Sequence, residues 1–176
     1  MNAKSISLTG LFIAIGVILP LLCHTVGLGL IILPMHFAPL LCGIFAGPKE
    51  GLICGIITPI VSSVLIAMPP FYPVAISMSV ELAIYGFIIG ISLRYLLLRQ
   101  GIYLSSMISL ILAMVSGRIC AGFFYLIFFH IHNEVYTWSI FLATMFLKAL
   151  PGILLQIIII PLFVTLLVKQ NPRTIS

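Results

Sequence analysis

The chain has no aspartate and only three acidic residues, Glu50, Glu81 and Glu134. With eight lysines and arginines, charged residues make up 6% of the 176, against about 25% in soluble domains. That poverty excludes an ordinary globular domain. Three widely separated glutamates also give no paired carboxylates for acid–base catalysis, and Ser62, Ser63 and Ser116 have no His–acid partner set. No GxxxxGK[ST] loop is present to cradle a nucleotide phosphate. The cysteines Cys23, Cys42, Cys54 and Cys120 lie singly within apolar runs, without CxxC spacing, which favours buried thiols over a redox or metal role. No linker or low-complexity tract interrupts the chain, and its halves show no repeat of the kind found in many inverted-repeat transporters.

What is there is hydrocarbon: 62% of the residues are hydrophobic. A membrane-crossing helix needs about 20 apolar residues, so 176 residues have room for six crossings with short connections. The pattern predicts an all-α membrane domain with helices near 5–22, 30–47, 51–67, 74–98, 102–129 and 137–168. The first stretch carries one Lys4 and no small-x-small cleavage site, so it is read as a helix rather than a signal peptide. Helix 1 is expected to break at Pro20, and Pro151 and Pro161 are expected to kink helix 6.

The organising stretch runs from Pro34 to Pro70. Two apolar passes meet there at Gly47-Pro48-Lys49-Glu50-Gly51. Gly43-Gly47 and Gly51-Gly55 recur at steps of four, with Pro59 one step further; in lipid this spacing lets helix backbones approach closely. Met35-His36, Ser62-Ser63 and Ala67-Met68-Pro69-Pro70 gather at the ends of the passes. The hairpin is therefore expected to wall a membrane-embedded cavity.

The +5 net charge would suggest nucleic acid in a soluble protein, but here its distribution sets topology. With the N-terminus inside, Lys4, Lys49, Arg94, Arg99, Lys169 and Arg173 fall at cytoplasmic ends, and the outer loops hold neither lysine nor arginine. Both termini are expected to be cytoplasmic.

Three charges remain inside the helices: Glu81, Arg118 and Lys148. Each costs roughly 2.5–3.5 kcal/mol at a helix centre. Counted inward at 1.5 Å per residue they share a layer roughly 12 to 17 Å deep. Met78 and Tyr85 flank Glu81 on its helical face, Gly122 and Tyr125 share the Arg118 face, and Thr144, Gly152 and Gln156 continue the Lys148 face. Pairing within the trio leaves one cation over, which favours a ligand carboxylate gripped by Arg118; Glu81 either joins that site or only pairs with a cation. His36, between Pro34 and Pro39, is a substrate contact or a satisfied polar residue. His130, His132 and Glu134 are read as solvated outer-loop groups, with no metal centre expected. On helix 1, Ala3, Ser7, Gly10 and Ala14 form one small-residue face, which packs within the protein or docks another.

Taken in order, that small face, MHFAPLLCGIFAGPKEGLICGIITPIVSSVLIAMPP, MSVELAIYGFIIG, AMVSGRICAG and KALPGILLQIIIIPLFV resemble the substrate-binding S component of an energy-coupling factor (ECF) vitamin transporter. The resemblance spans nearly the whole chain. It implies a six-helix bundle that binds a vitamin without a cofactor, in a bacterial-type cell membrane. It also implies as partners a transmembrane coupling protein and two ABC-type ATPases, with inward release by toppling in the bilayer. The family's AxxxA docking motif falls on Gly10 and Ala14, with glycine in place of the first alanine, and Ser7 extends that face. The candidate site read from the intramembrane charges and their helical faces joins Glu81, Arg118 and Lys148 with His36, Tyr85, Tyr125 and Gln156. The spare cation favours pantothenate, then folate or nicotinate. Rival readings are a stand-alone proton- or sodium-coupled transporter working through Glu81, an assembly protein, and, least supported by the residues, a membrane enzyme.

Overall fold

The computed structural model describes residues 2–25, 27, 33–97, 101–131 and 150–170. Its regular elements there are all helical. They comprise α1 (Ala3–Thr25), α2 (Phe37–Phe45), α3 (Pro48–Ile66), α4 (Ile76–Leu97), α5 (Ile102–Ile131) and α6 (Leu150–Gln170). A 3-10 turn, Pro34–His36, leads into α2, and a wide helical turn, Phe71–Ala75, leads into α4. All of these α-helices except α2 are long and apolar enough to cross a bilayer.

Three boundaries differ from the sequence expectation. Helix 1 does not break at Pro20: α1 continues to Thr25, with Pro20 buried inside it. A proline removes one backbone hydrogen bond, and a transmembrane helix tolerates that where neighbouring groups compensate. Helix 2 is not continuous through residue 33: Leu33 is left-handed at φ 51° and the helical turn starts at Pro34, while 30–32 lie outside the described residues. Proline disfavours helical backbone at the residue before it and is itself suited to a first helical position. Helix 3 begins at Pro48, earlier than expected, for the same reason; Gly47, at φ 133°, supplies the turn before it. The expected start of helix 6, 137–149, lies outside the described residues, and the described α6 is a continuous helix through Pro161.

Helix α4 is the pillar. Its membrane-length window is 56% buried, against 22% for α1, and it packs on α2, α3 and α5. The approach is closest where glycine faces glycine. A methyl added to Gly51 would lie 2.6 Å from the Gly86 carbonyl oxygen and 2.7 Å from Gly43 Cα. One added to Gly90 would lie 2.7 Å from Pro48 Cα and 2.8 Å from the Gly43 carbonyl oxygen. Thus Gly43 and Gly51 of the hairpin meet Gly86 and Gly90 of α4, backbone against backbone, while Gly55 abuts Leu82 and Ala83 one turn along. Around this contact Leu40, Ile44, Leu82, Ile89, Leu93, Leu110 and Ile160 form the main apolar core.

The first helix is attached differently. Gly16 rests on Thr58 and Ala38, and Ser5 Oγ donates to Glu50 Oε1 at 2.6 Å. Ala3, Ser7, Gly10 and Ala14 are all exposed, so the small-residue face points away from the bundle.

Gly86→Val is expected to lower stability by about 1–3 kcal/mol, the usual cost of overpacking a tight contact. Gly10→Val, with nothing within 4 Å of its added carbon, should leave the folded bundle intact. Thermal unfolding of both variants, followed by reaction of the buried Cys42 and Cys54 with a thiol dye, compares them. Equal melting temperatures would refute the glycine contact as the organising one.

Candidate functional site

At the end of the bundle where α1 finishes, a cavity of about 600 Å³ opens, within the size range of small-molecule sites. Pro20, Leu21 and His24 of α1 form one wall, and Leu33 to His36 form the next. Ser62 and Ile66 of α3, the Met68-Pro69-Pro70 segment, Val74 and Met78 complete it. The hairpin expected to wall a cavity does so from both of its ends. Its shape is held by local chemistry: Ala67 turns the chain out of α3 at φ 57°, and Ser62 Oγ donates to the Met68 carbonyl at 2.6 Å. Apart from His24, His36 and Ser62, the lining side chains are apolar.

Behind His36 lies the charged layer. Glu81 of α4 is 7% exposed, Arg118 of α5 and His36 each 4%. Tyr85, one turn after Glu81, donates its hydroxyl hydrogen to Glu81 Oε1 at 2.7 Å. The same oxygen is 3.9 Å from His36 Nε2 and 4.0 Å from Arg118 Nε. Both separations are too long for hydrogen bonds; the Arg118 guanidinium acts on this oxygen through its charge, and the His36 ring lies beside it. The His36 ring lies 5.6 Å from that of Tyr85, tilted 56°. One carboxylate oxygen thus gathers a tyrosine, a histidine and an arginine from three elements.

The seven candidate residues separate accordingly. Glu81, Tyr85, Arg118 and His36 come together, with His36 alone of them lining the cavity. Gln156 of α6 is 1% exposed and reaches the cavity wall from behind, its Nε2 donating to the Leu33 carbonyl at 3.4 Å. Tyr125 is half-buried about two turns along α5 from Arg118, its ring edge-on to Phe124. Lys148 lies outside the described residues, as do His132 and Glu134.

Among the positions that escaped the sequence reading of the site are His24 on the cavity wall, Gly117 and Leu33. Gly117 precedes Arg118, and an added methyl there would overlap the Tyr85 ring and lie 2.8 Å from the Glu81 carbonyl oxygen; it admits the tyrosine that bonds Glu81. Leu33 contributes only a backbone carbonyl, which no side-chain pattern announces. For Gly117 the available signal was its place next to a buried arginine.

Removing one partner of a buried charge pair leaves the other uncompensated and costs about 3–5 kcal/mol. Arg118→Ala is therefore expected to destabilise the bundle strongly, and adding Glu81→Gln should restore much of the loss. Tyr85→Phe should cost about 1.5–3 kcal/mol, the range for a hydrogen bond to a charged group. A double-mutant cycle on Glu81 and Arg118 by thermal unfolding tests the pair; strictly additive losses would show that the two do not interact.

The model of the family described as ECF transporter, substrate-specific component, matches residues 4–164. No curated protein matches the chain, and no solved structure does. The match takes in all but the ends of the sequence, including the hairpin, the charged layer and Gln156. Components of this family are substrate-binding, non-catalytic subunits, in keeping with a multi-pass bundle that holds a cavity at one end. The chain belongs to the family of substrate-specific components of ECF transporters.

Proposed function

We propose that the chain captures a compact micronutrient from outside the cell in the 600 Å³ cavity and hands it inward through an ATP-driven ECF module. The observation that carries this reading is His36: it lines the cavity and also touches the Glu81–Arg118 layer. A ligand in the apolar chamber thereby meets an oriented, charge-backed imidazole at its floor. Apolar walls with a few fixed polar groups suit a small organic solute.

The direction of opening follows from charge. The Ser5–Glu50 hydrogen bond joins the start of α1 to the start of α3, where Lys4 and Lys49 stand. Arg94 lies within 3.5 Å of a methyl placed on Gly47, and α6 runs from Gln156 near Leu33 to Phe163 against Phe45, carrying Lys169 toward that same end. Lysine and arginine mark the cytoplasmic side, so the opposite end, with the cavity, faces out and the N-terminus lies inside.

The substrate class rests on the charge count. Glu81 sits beside Arg118, and the sequence adds Lys148 as a second cation; a carboxylate-bearing vitamin, pantothenate first and then folate or nicotinate, would balance it. The partners of the reading are a transmembrane coupling protein and two ABC-type ATPases. Their docking face is Ser7, Gly10 and Ala14, which are exposed and small enough for close helix approach.

Thermal stabilisation of the purified chain against a vitamin panel tests the reading. A ligand at one hundred times its dissociation constant should add about 2.7 kcal/mol. Pantothenate is expected to give the largest shift, weakened more by Arg118→Ala than by Glu81→Ala. A folded protein that responds to no vitamin would sink it. In cells carrying the ECF module, Gly10→Leu or Ala14→Leu should stop uptake while binding persists; uptake surviving both removes helix α1 as the docking face.

A further inference from the structure

Among the described residues, His24, His36 and Ser62 are the polar side chains that line the cavity. Two of them are already engaged. Ser62 is 1% exposed and gives its hydroxyl hydrogen to the Met68 carbonyl. His36 is 4% exposed, with Nε2 beside Glu81 Oε1 and Nδ1 buried. His24 is the exposed member of the three. The sequence that follows it, from Val26 to Leu33, contains no polar side chain.

Local structure holds His24 at the mouth. It stands in the last turn of α1, four residues after Pro20, and that spacing puts both on one side of the helix. Both line the cavity, Pro20 buried and His24 exposed, so the α1 wall runs from depth to rim between them. The helix end is closed locally. Thr25 Oγ1 donates to the Leu22 carbonyl at 2.7 Å, and the Gly27 N–H donates to the His24 carbonyl at 3.0 Å. The carbonyl end of a helix carries partial negative charge, which favours a cation beside it and disfavours an anion.

We propose that His24 is the specificity-determining residue that selects a carboxylate at the mouth of this cavity. Its imidazole N–H bonds the carboxylate of the entering vitamin, while the uncharged remainder packs against Met35, Ile66, Val74 and Met78. The inference rests on the cavity being the substrate site. Neither Arg118 nor Glu81 lines the chamber, so Arg118 acts there from behind His36 with Glu81 opposing it. At the mouth, by contrast, a carboxylate meets a donor directly and keeps water on its remaining lone pairs, which lowers the cost of its desolvation. Without the imidazole it would face the negative end of α1 alone. His24 therefore decides between an acid and its neutral analogue and does not simply strengthen both.

The test uses the full chain in lipid nanodiscs as wild type, His24→Leu and His24→Arg. The probes are acids paired with neutral analogues: pantothenate with panthenol, nicotinate with nicotinamide, biotin with biotinamide and folate with its diamide. Thiamine and riboflavin complete the panel. Titration calorimetry gives each affinity, and probe-free thermal unfolding checks that the substitutions leave the fold intact. For whichever pair binds, wild type is expected to prefer the acid by about tenfold or more, the scale of one hydrogen bond to a charged group. His24→Leu should erase that preference by weakening the acid alone, and His24→Arg should keep it. An acid preference that survives His24→Leu overturns the proposal, as does equal weakening of acid and analogue, or a wild type with no acid preference. A wild type that binds thiamine or riboflavin but no acid overturns it too, and leaves the cavity reading standing. If no probe binds the folded wild type, the cavity reading itself fails and takes this one with it.

Discussion

The backbone contact between Gly51 and Gly86 is the constraint from which the site follows. In hydrocarbon there is no solvent-driven force between apolar helices, so association depends on packing and on interhelical polar contacts. Gly43 and Gly90 extend the contact along the same seam, and Gly55 against Leu82 and Ala83 fixes the rotation of α4. With that rotation set, Glu81 and Tyr85 cannot face the α3 side of the seam. They face α5, where Gly117 supplies another close approach and admits the tyrosine ring. The position of Glu81 is thus a consequence of glycines on three other elements.

A carboxylate so placed needs compensation, and the structure supplies it unevenly. Tyr85 gives a short hydrogen bond at 2.7 Å, while Arg118 Nε and His36 Nε2 stand at 4.0 and 3.9 Å. A tight Arg–Glu fork would hold the layer as a rigid structural pin. The looser arrangement keeps His36 within the field of both charges yet on the cavity wall. The chamber in front is apolar, so burial supplies the attraction for a solute and a few polar atoms orient it. Charge behind, hydrocarbon in front and one imidazole between them is the division of labour that this fold provides.

Much of this could be read in the chain, for identifiable reasons. Apolar length gave the spans, and the four-residue step from Glu81 to Tyr85 gave their contact, because one helical turn brings such residues together. The glycine steps at 43, 51 and 55 correctly marked close approach. The partner helix was not legible: Gly86 and Gly90 have the same spacing, yet nothing local says which helix meets which. Gly47, read both as a packing glycine and as the first residue of the turn, makes the turn, at φ 133°. Pro34 and Pro48 moved helix starts because proline acts on the residue before it, whereas Pro20 failed to break α1, where the neighbouring packing carries the helix through. The Leu33 carbonyl is a backbone group, and Gln156 was found only by its spacing from Lys148.

Small residues appear twice in this protein, with opposite outcomes. At Gly43, Gly51 and Gly86 they meet one another, and the contact is consumed inside the bundle. Along Ala3, Ser7, Gly10 and Ala14 the same spacing is left bare, with nothing within 4 Å of a carbon added to Gly10. A strip without long side chains offers lipid tails little to pack against, but gives a second helix a flat path to the backbone. α1 is also the least buried of the spanning helices, fastened by Gly16 in its middle and by the Ser5–Glu50 bond at its start. Its bare strip lies on the outer side of that attachment, so a partner helix could dock there without opening the α3–α4 seam or disturbing Glu81. Under the proposed function, substrate binding and docking then use separate surfaces joined only through α1, whose far end, Pro20 to His24, is a wall of the cavity.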